Sequence, residues 1–100
     1  MDYACSPRDS HLHIALTGIL TFDDHEKFKG VIRAINESDN NQVEVSLAEL
    51  TMIDSAGVGM LILANDKAKK ANKTMRLSGV KGHVEKVLQL SKIDQIIKVN

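Results

Sequence analysis

Hydrophobic residues in this chain alternate with polar ones in some stretches and recur every three to four positions in others, and each change of period marks a change of element. From His11 to Thr17, Leu12, Ile14 and Leu16 share one face, and His11, His13, Ala15 and Thr17 share the other. This predicts a half-buried strand ending at a turn on Gly18. Met1 to Ser6 predicts a short edge strand ahead of it. From Asp23 the period lengthens, and Phe28, Val31, Ile32 and Ile35 form one apolar stripe on a helix. Thr21 with Asp24, or Asp23 with Glu26, has the spacing of a capping box. The polar run Glu37-Ser38-Asp39-Asn40-Asn41 ends that helix in a loop. Val43, Val45 and Leu47 alternate as another strand, and Leu50, Met52 and Ile53 lead on into Asp54.

A second helix is predicted from Ser55 to Ala71, capped by Ser55 or Asp54. Val58, Leu61 and Ile62 line one side of it, and Met60, Leu63 and Ala64 another, so its first half is apolar nearly all round. Its continuation from Asn65 to Lys73 reads as charged and solvated. Met75 and Leu77 mark a short strand within Lys73 to Ser78, and Gly79 to Gly82 a turn. Val84, Val87 and Leu88 mark a third helix, and Ile96, Ile97 and Val99 a terminal strand or helix. The order β-β-α-β-α-β-α predicts one α/β domain over residues 1–100, a mixed, mostly parallel sheet of four to five strands with packed helices. In such sheets sites gather where strand ends hand over to helices. Asp54-Ser55 is one such handover.

Composition narrows the function classes. With 43% hydrophobic residues over 100 positions, the chain can bury a core without a disulfide or metal staple. Lys plus Arg and Asp plus Glu are 13 each, and Tyr3, Phe22 and Phe28 are the only aromatics. Neither a basic excess nor a stacking platform is present, so nucleic acid is not expected as a partner. Cys5 is the single cysteine, compatible with a reducing compartment. The first residues lack a basic and apolar leader, and the longest apolar run, Val58 to Ala64, is far short of the roughly 20 residues that span a bilayer. A cytoplasmic location without membrane insertion is expected.

Met52-Ile53-Asp54-Ser55-Ala56-Gly57-Val58-Gly59 is the least ordinary stretch. Two glycines fall in the first turns of a helix, where each costs about 1 kcal/mol relative to alanine. They either uncover Ser55 and the helix N-terminus for a large partner, or let the helix lie close to the sheet. Ser55 is either a helix cap or a modifiable hydroxyl. A phosphate there would bring about −1.5 to −2 charges to a neutral protein, which a helix N-terminus tolerates and an apolar or acidic partner does not.

The run Leu50-Thr51-Met52-Ile53-Asp54-Ser55-Ala56-Gly57-Val58-Gly59-Met60-Leu61 resembles the signature of the STAS domain, the fold of bacterial anti-sigma factor antagonists. The resemblance extends upstream to Leu16-Thr17-Gly18-Ile19-Leu20 and the helix from Asp23, and downstream through Lys73 to Ser78, Val84 to Leu90 and Ile93 to Ile97. It implies a partner switch without catalysis by this chain and without a cofactor. The unmodified protein would bind an anti-sigma factor that is also a serine kinase, an ATPase of the histidine-kinase-like type. Phosphorylation at Ser55 would break that complex, and a serine phosphatase would restore it. The implied contact residues are Phe22, Asp23, Asp24, Asp54, Ala56, Gly57, Val58, Gly59 and Met60. Two positions depart from the family pattern: Ser46 stands where an Asp is frequent, and Ala56 where a second Ser or Thr is frequent. Ser55 is therefore the one hydroxyl in the Asp-Ser-Ala-Gly motif. Related STAS proteins serve biofilm and secretion switches, or support a lipid-transport ATPase, and the motif does not separate these.

Other chemistries fit less well. A serine hydrolase elbow would need Gly where Ile53 stands, and nothing in the sequence brings His11, His13, His25 or His83 to Ser55. His11 and His13, two apart on a strand, share a face, but read as solvent-facing histidines with no metal expected. Gly57-Val58-Gly59 lacks the third glycine of a dinucleotide fingerprint. Gly79-Val80-Lys81-Gly82 reads as a turn, and the Lys67, Lys69, Lys70 and Lys73 cluster as a solvated face. Met60 and Leu63 read as core rather than interface.

Overall fold

Five strands lie side by side in the order in which the chain makes them. The computed structural model describes residues 1–100. The strands are β1 (Asp2–Pro7), β2 (Leu12–Leu20), β3 (Gln42–Ile53), β4 (Thr74–Ser78) and β5 (Lys98–Val99), and the helices are α1 (His25–Glu37), α2 (Ser55–Lys70) and α3 (Gly82–Leu90). Single 3-10 turns at Phe22–Asp24 and Ile93–Gln95 lead into α1 and β5. The sheet order is β1-β2-β3-β4-β5. β1 runs antiparallel to β2, and every later pairing is parallel. This is the mixed α/β sheet expected, with five strands. The radius of gyration is 12.1 Å.

The crossovers from β2 onward all step in one direction. Right-handed crossovers that never reverse place their helices on one face of the sheet, and the burial agrees. Leu12, Ile14 and Leu16 on β2, Val43, Val45 and Leu47 on β3, and Met75 and Leu77 on β4 are buried in one cluster with Phe28, Val31 and Ile35 of α1, Val58, Leu61 and Ala64 of α2, and Val84 and Leu88 of α3. The alternate positions, among them His13, Glu44, Ser46, Arg76 and Ser78, are polar and half-buried on the opposite face.

Two boundaries differ from the sequence expectation, and the choice left open at the terminal segment, strand or helix, falls to a strand. β2 does not stop at Gly18 but passes through it, at φ +86°, to Leu20. Only glycine takes that conformation without strain, so the turn signal marks an irregularity inside a strand. β3 is one continuous strand because it carries two extra residues against β2. Ala15 pairs with Ser46 but Thr17 with Glu49, and Gly18 pairs with Leu50 but Ile19 with Met52. Each bulge resets which face looks inward, which is why Leu47, Leu50 and Ile53 are buried at a spacing of three. The terminal segment is a 3-10 turn followed by a strand of two residues.

The solvated reading of the second half of α2 also needs correction. Lys67, Lys69 and Lys70 are exposed, but Asn65 and Lys73 are buried. Asn65 Nδ2 donates to the Ile96 carbonyl at 3.3 Å, and Lys73 Nζ donates to the carbonyls of Ser38 and Asn40. A buried ammonium is stable only with such partners, and here it clips the α1–β3 loop. Met60 is core as expected, whereas Leu63 is 43% exposed.

Candidate functional site

The C-terminal ends of β2 and β3 deliver two short segments, residues 20–24 and 52–59, to the same corner of the sheet. Asp54 ties them together. Its Oδ1 accepts from Gly57 N–H at 2.7 Å, which makes Asp54 the N-cap of α2. Its Oδ2 accepts from Phe22 N–H at 3.2 Å, and its own N–H donates to the Leu20 carbonyl at 3.2 Å. Ser55 is thus the first helical residue and not the cap. Its side chain is exposed, at the helix end where unpaired N–H groups and the macrodipole favour negative charge.

The two glycines have different reasons. A Cβ on Gly57 would lie 2.6 Å from the Leu20 carbonyl oxygen and 2.7 Å from Ile53 Cγ1, so Gly57 is there for close packing of α2 on the sheet. A Cβ on Gly59 would meet nothing within 4 Å, so Gly59 leaves an open surface one turn along from Ser55.

Three large apolar side chains are exposed at this end of the sheet. Phe22 is 71% exposed, Met52 50% and Ile19 45%. Ile19 and Met52 are register partners on β2 and β3, so their side chains stand together. Neither was among the contact residues expected from the sequence. Their signal lies in the bulge, which makes them outward-facing apolar positions between inward-facing ones.

Of the expected contact residues, Phe22, Asp23 and Gly59 are exposed, while Asp24, Asp54 and Ala56 are half-buried. Gly57, Val58 and Met60 are buried and leave the contact patch, because they face the core below it. Asp24 is also turned inward. Its Oδ2 accepts from Thr21 N–H at 2.9 Å and its Oδ1 meets the Met1 α-amino group at 3.0 Å. The Thr21 N–H first, with the α-amino group adding to it, holds the Asp24 carboxyl below the usual carboxylate range. Of the two capping boxes considered, the Thr21–Asp24 spacing is the one used.

The likeness to known proteins covers nearly the whole chain. Residues 4–98 match the family profile described as Mlab, STAS domain. The chain belongs to the STAS domain family. A STAS-domain-containing protein of Pseudomonas aeruginosa (strain UCBPP-PA14) is 29% identical over 89 residues, 89% of this chain and 87% of that one. A Thermotoga maritima protein assigned as an anti-sigma factor antagonist superposes with a TM-score of 0.85 at 20% identity, covering 97% of this chain and 84% of that one. The anti-sigma factor antagonist SpoIIAA in its unphosphorylated form has a TM-score of 0.79 at 18% identity, covering 99% of this STAS domain and 88% of that chain. The phosphorylated form of SpoIIAA, a Bacillus cell fate determinant, has a TM-score of 0.70 at 19% identity, covering 99% and 91%. The architecture of this STAS domain is therefore that of the anti-sigma factor antagonists. No helix in it is long and apolar enough to cross a membrane.

Proposed function

We propose that this STAS domain is a phosphorylation-controlled binding module of the anti-sigma factor antagonist type, acting in the cytoplasm. Unphosphorylated, it presents Phe22, Ile19, Met52 and the exposed start of α2 to an anti-sigma factor that is also a serine kinase. That kinase transfers the γ-phosphoryl group of ATP to Ser55 Oγ, ADP leaves, and the complex parts. A serine phosphatase hydrolyses the phosphoserine and restores binding. The chain is ligand and substrate, with no catalysis of its own.

One observation carries this reading. Asp54 takes the cap of α2, and the Ser55 hydroxyl is exposed at the helix start with no capping role in holding the helix. A phosphate there adds about −1.5 to −2 charges beside Asp54 and Asp23. The helix N-terminus accommodates it, while an apolar or acidic partner face rejects it. The fold is thus kept as the interface is lost, and the likeness to a protein solved in both phosphorylation states supports this.

The test is affinity capture from native lysate with wild type, Ser55→Ala and Ser55→Asp as baits. A serine-kinase ATPase retained by wild type and Ser55→Ala and lost by Ser55→Asp is the expected result. A transporter ATPase on all three baits would instead make this a permanent subunit that uses Ser55 for contact only. Capture that ignores position 55 would end the switching reading.

A further inference from the structure

The face of the sheet that carries no helix holds a second cluster, at the opposite end of the strands from Ser55. From His13 to Leu20 the strand runs roughly 20 Å at its usual rise, so the two regions share no residue. Along one row across this face, Ser6 pairs with His13, His13 with Glu44, Glu44 with Arg76, and Arg76 with Lys98. His11, two positions before His13, projects to the same side.

We propose that His11, His13 and Glu44 form a binding site for a divalent transition-metal cation of the zinc type. His11 Nε2 lies 3.6 Å from Glu44 Oε1, and His13 Nδ1 lies 3.8 Å from Glu44 Oε2. Donor atoms of all three residues lie within 4.8 Å of one another. A tetrahedral zinc ion with bonds of 2.0–2.2 Å sets its ligands about 3.4 Å apart, so side-chain torsions must close the widest pair, within 4.8 Å, by up to about 1.4 Å. The side chains are 20–24% exposed, so an ion reaches them from solvent without opening the fold. Two imidazoles and one carboxylate suit zinc and disfavour magnesium or calcium, which take oxygen ligands. The fourth position faces solvent and takes water.

The groups behind the ligands are placed as a metal site requires. Ser10 Oγ sits 3.2 Å from His11 Nδ1, so it can accept a hydrogen bond from Nδ1–H and leave the Nε2 lone pair directed at the cluster. Ser78 Oγ donates to Glu44 Oε2 at 2.8 Å, and Arg76 Nη2 donates to Oε1 at 3.0 Å. These bonds orient the carboxylate. Arg76 also repels a cation, which makes the site one of moderate affinity that loads with metal supply. The sequence showed the two histidines but not Glu44, which lies about 30 positions away and arrives only through the parallel register of β2 and β3.

The test is a zinc titration of the tag-free, metal-stripped protein against a chromophoric chelator. One-to-one uptake is expected. His11→Ala and His13→Ala should each weaken it by about a hundredfold or more, and Ser10→Ala by about tenfold, in the range of outer-shell partners. His83→Ala, on an exposed helix face away from the cluster, should leave it unchanged. The histidine ring-nitrogen resonances of the wild type should move on zinc addition at His11 and His13 and stay fixed at His25 and His83. A titration without a saturable phase, or one as strong in both His→Ala variants as in wild type, overturns the site and leaves a plain ion cluster.

Discussion

Asp54 divides its two carboxylate oxygens between the N–H groups of Gly57 and Phe22, and so fixes both the start of α2 and the segment that displays Phe22. Loss of a capping side chain costs about 1 kcal/mol, up to about 2. Asp54→Ala should therefore lower the unfolding free energy by that amount, read from urea unfolding, and also loosen residues 20–24, seen as faster amide exchange at Phe22. Ser55→Ala should change stability by no more than about 0.5 kcal/mol, the usual range for an exposed position. A larger loss would mean the hydroxyl does structural work. That one of these two residues caps the helix was legible in the sequence. Which one was not, because Asp and Ser cap almost equally well, and the choice rests on Phe22, more than 30 positions away.

Helix and strand behave alike in that a repeated residue type or spacing hides two different reasons. Gly57 and Gly59 look equivalent in sequence, but only Gly57 meets the sheet. Gly57→Ala should destabilise by about 1–3 kcal/mol through overpacking, and Gly59→Ala should stabilise by about 1 kcal/mol through helix propensity, both read from thermal or urea unfolding. Reversal of these signs would remove the account of α2 docking. Elements with an unbroken period, such as α1 with Phe28, Val31 and Ile35 or β4 with Met75 and Leu77, were readable directly. β3 was readable only to Leu47. Beyond it two bulges change the inward face twice, and the exposed pair Ile19 and Met52 depends on that shift. Lys73 was hidden for a related reason, since its partners are backbone carbonyls that carry no residue-type signal.

At the scale of the whole molecule, charge sets the response to acid and to modification. Asp24 and Glu44 both have carboxyls held below their ordinary range, Glu44 first by the Ser78 hydroxyl and then by Arg76. A folded-state pKa below the unfolded one contributes stability that is complete above about pH 5 and is lost as pH falls through the folded value. Ser78→Ala should move the Glu44 carboxyl up toward its usual range and make the variant less stable than wild type at neutral pH. The difference should shrink in acid, where both are protonated, and side-chain NMR titration with unfolding at several pH values would show it. Formal net charge is zero with histidines neutral, so one phosphate should turn a nearly immobile band in a native gel at pH 7 into a clearly anionic one.

The strand order also bears on how the molecule is made. Because β1 to β5 lie in the sheet as they lie in the chain, every pairing joins consecutive strands and no strand waits for a later one to be inserted beside it. Only the β1–β2 hairpin closes a short loop, and each parallel pairing spans a helix crossover, but none needs a closure longer than one such unit, so the sheet can grow at one edge as the chain leaves the ribosome. Ile19, Phe22, Asp54, Ser55 and Gly59 all belong to the first 60 residues. The surface offered to a partner can therefore take shape during synthesis, before β4 and α3 emerge to close the far edge of the sheet.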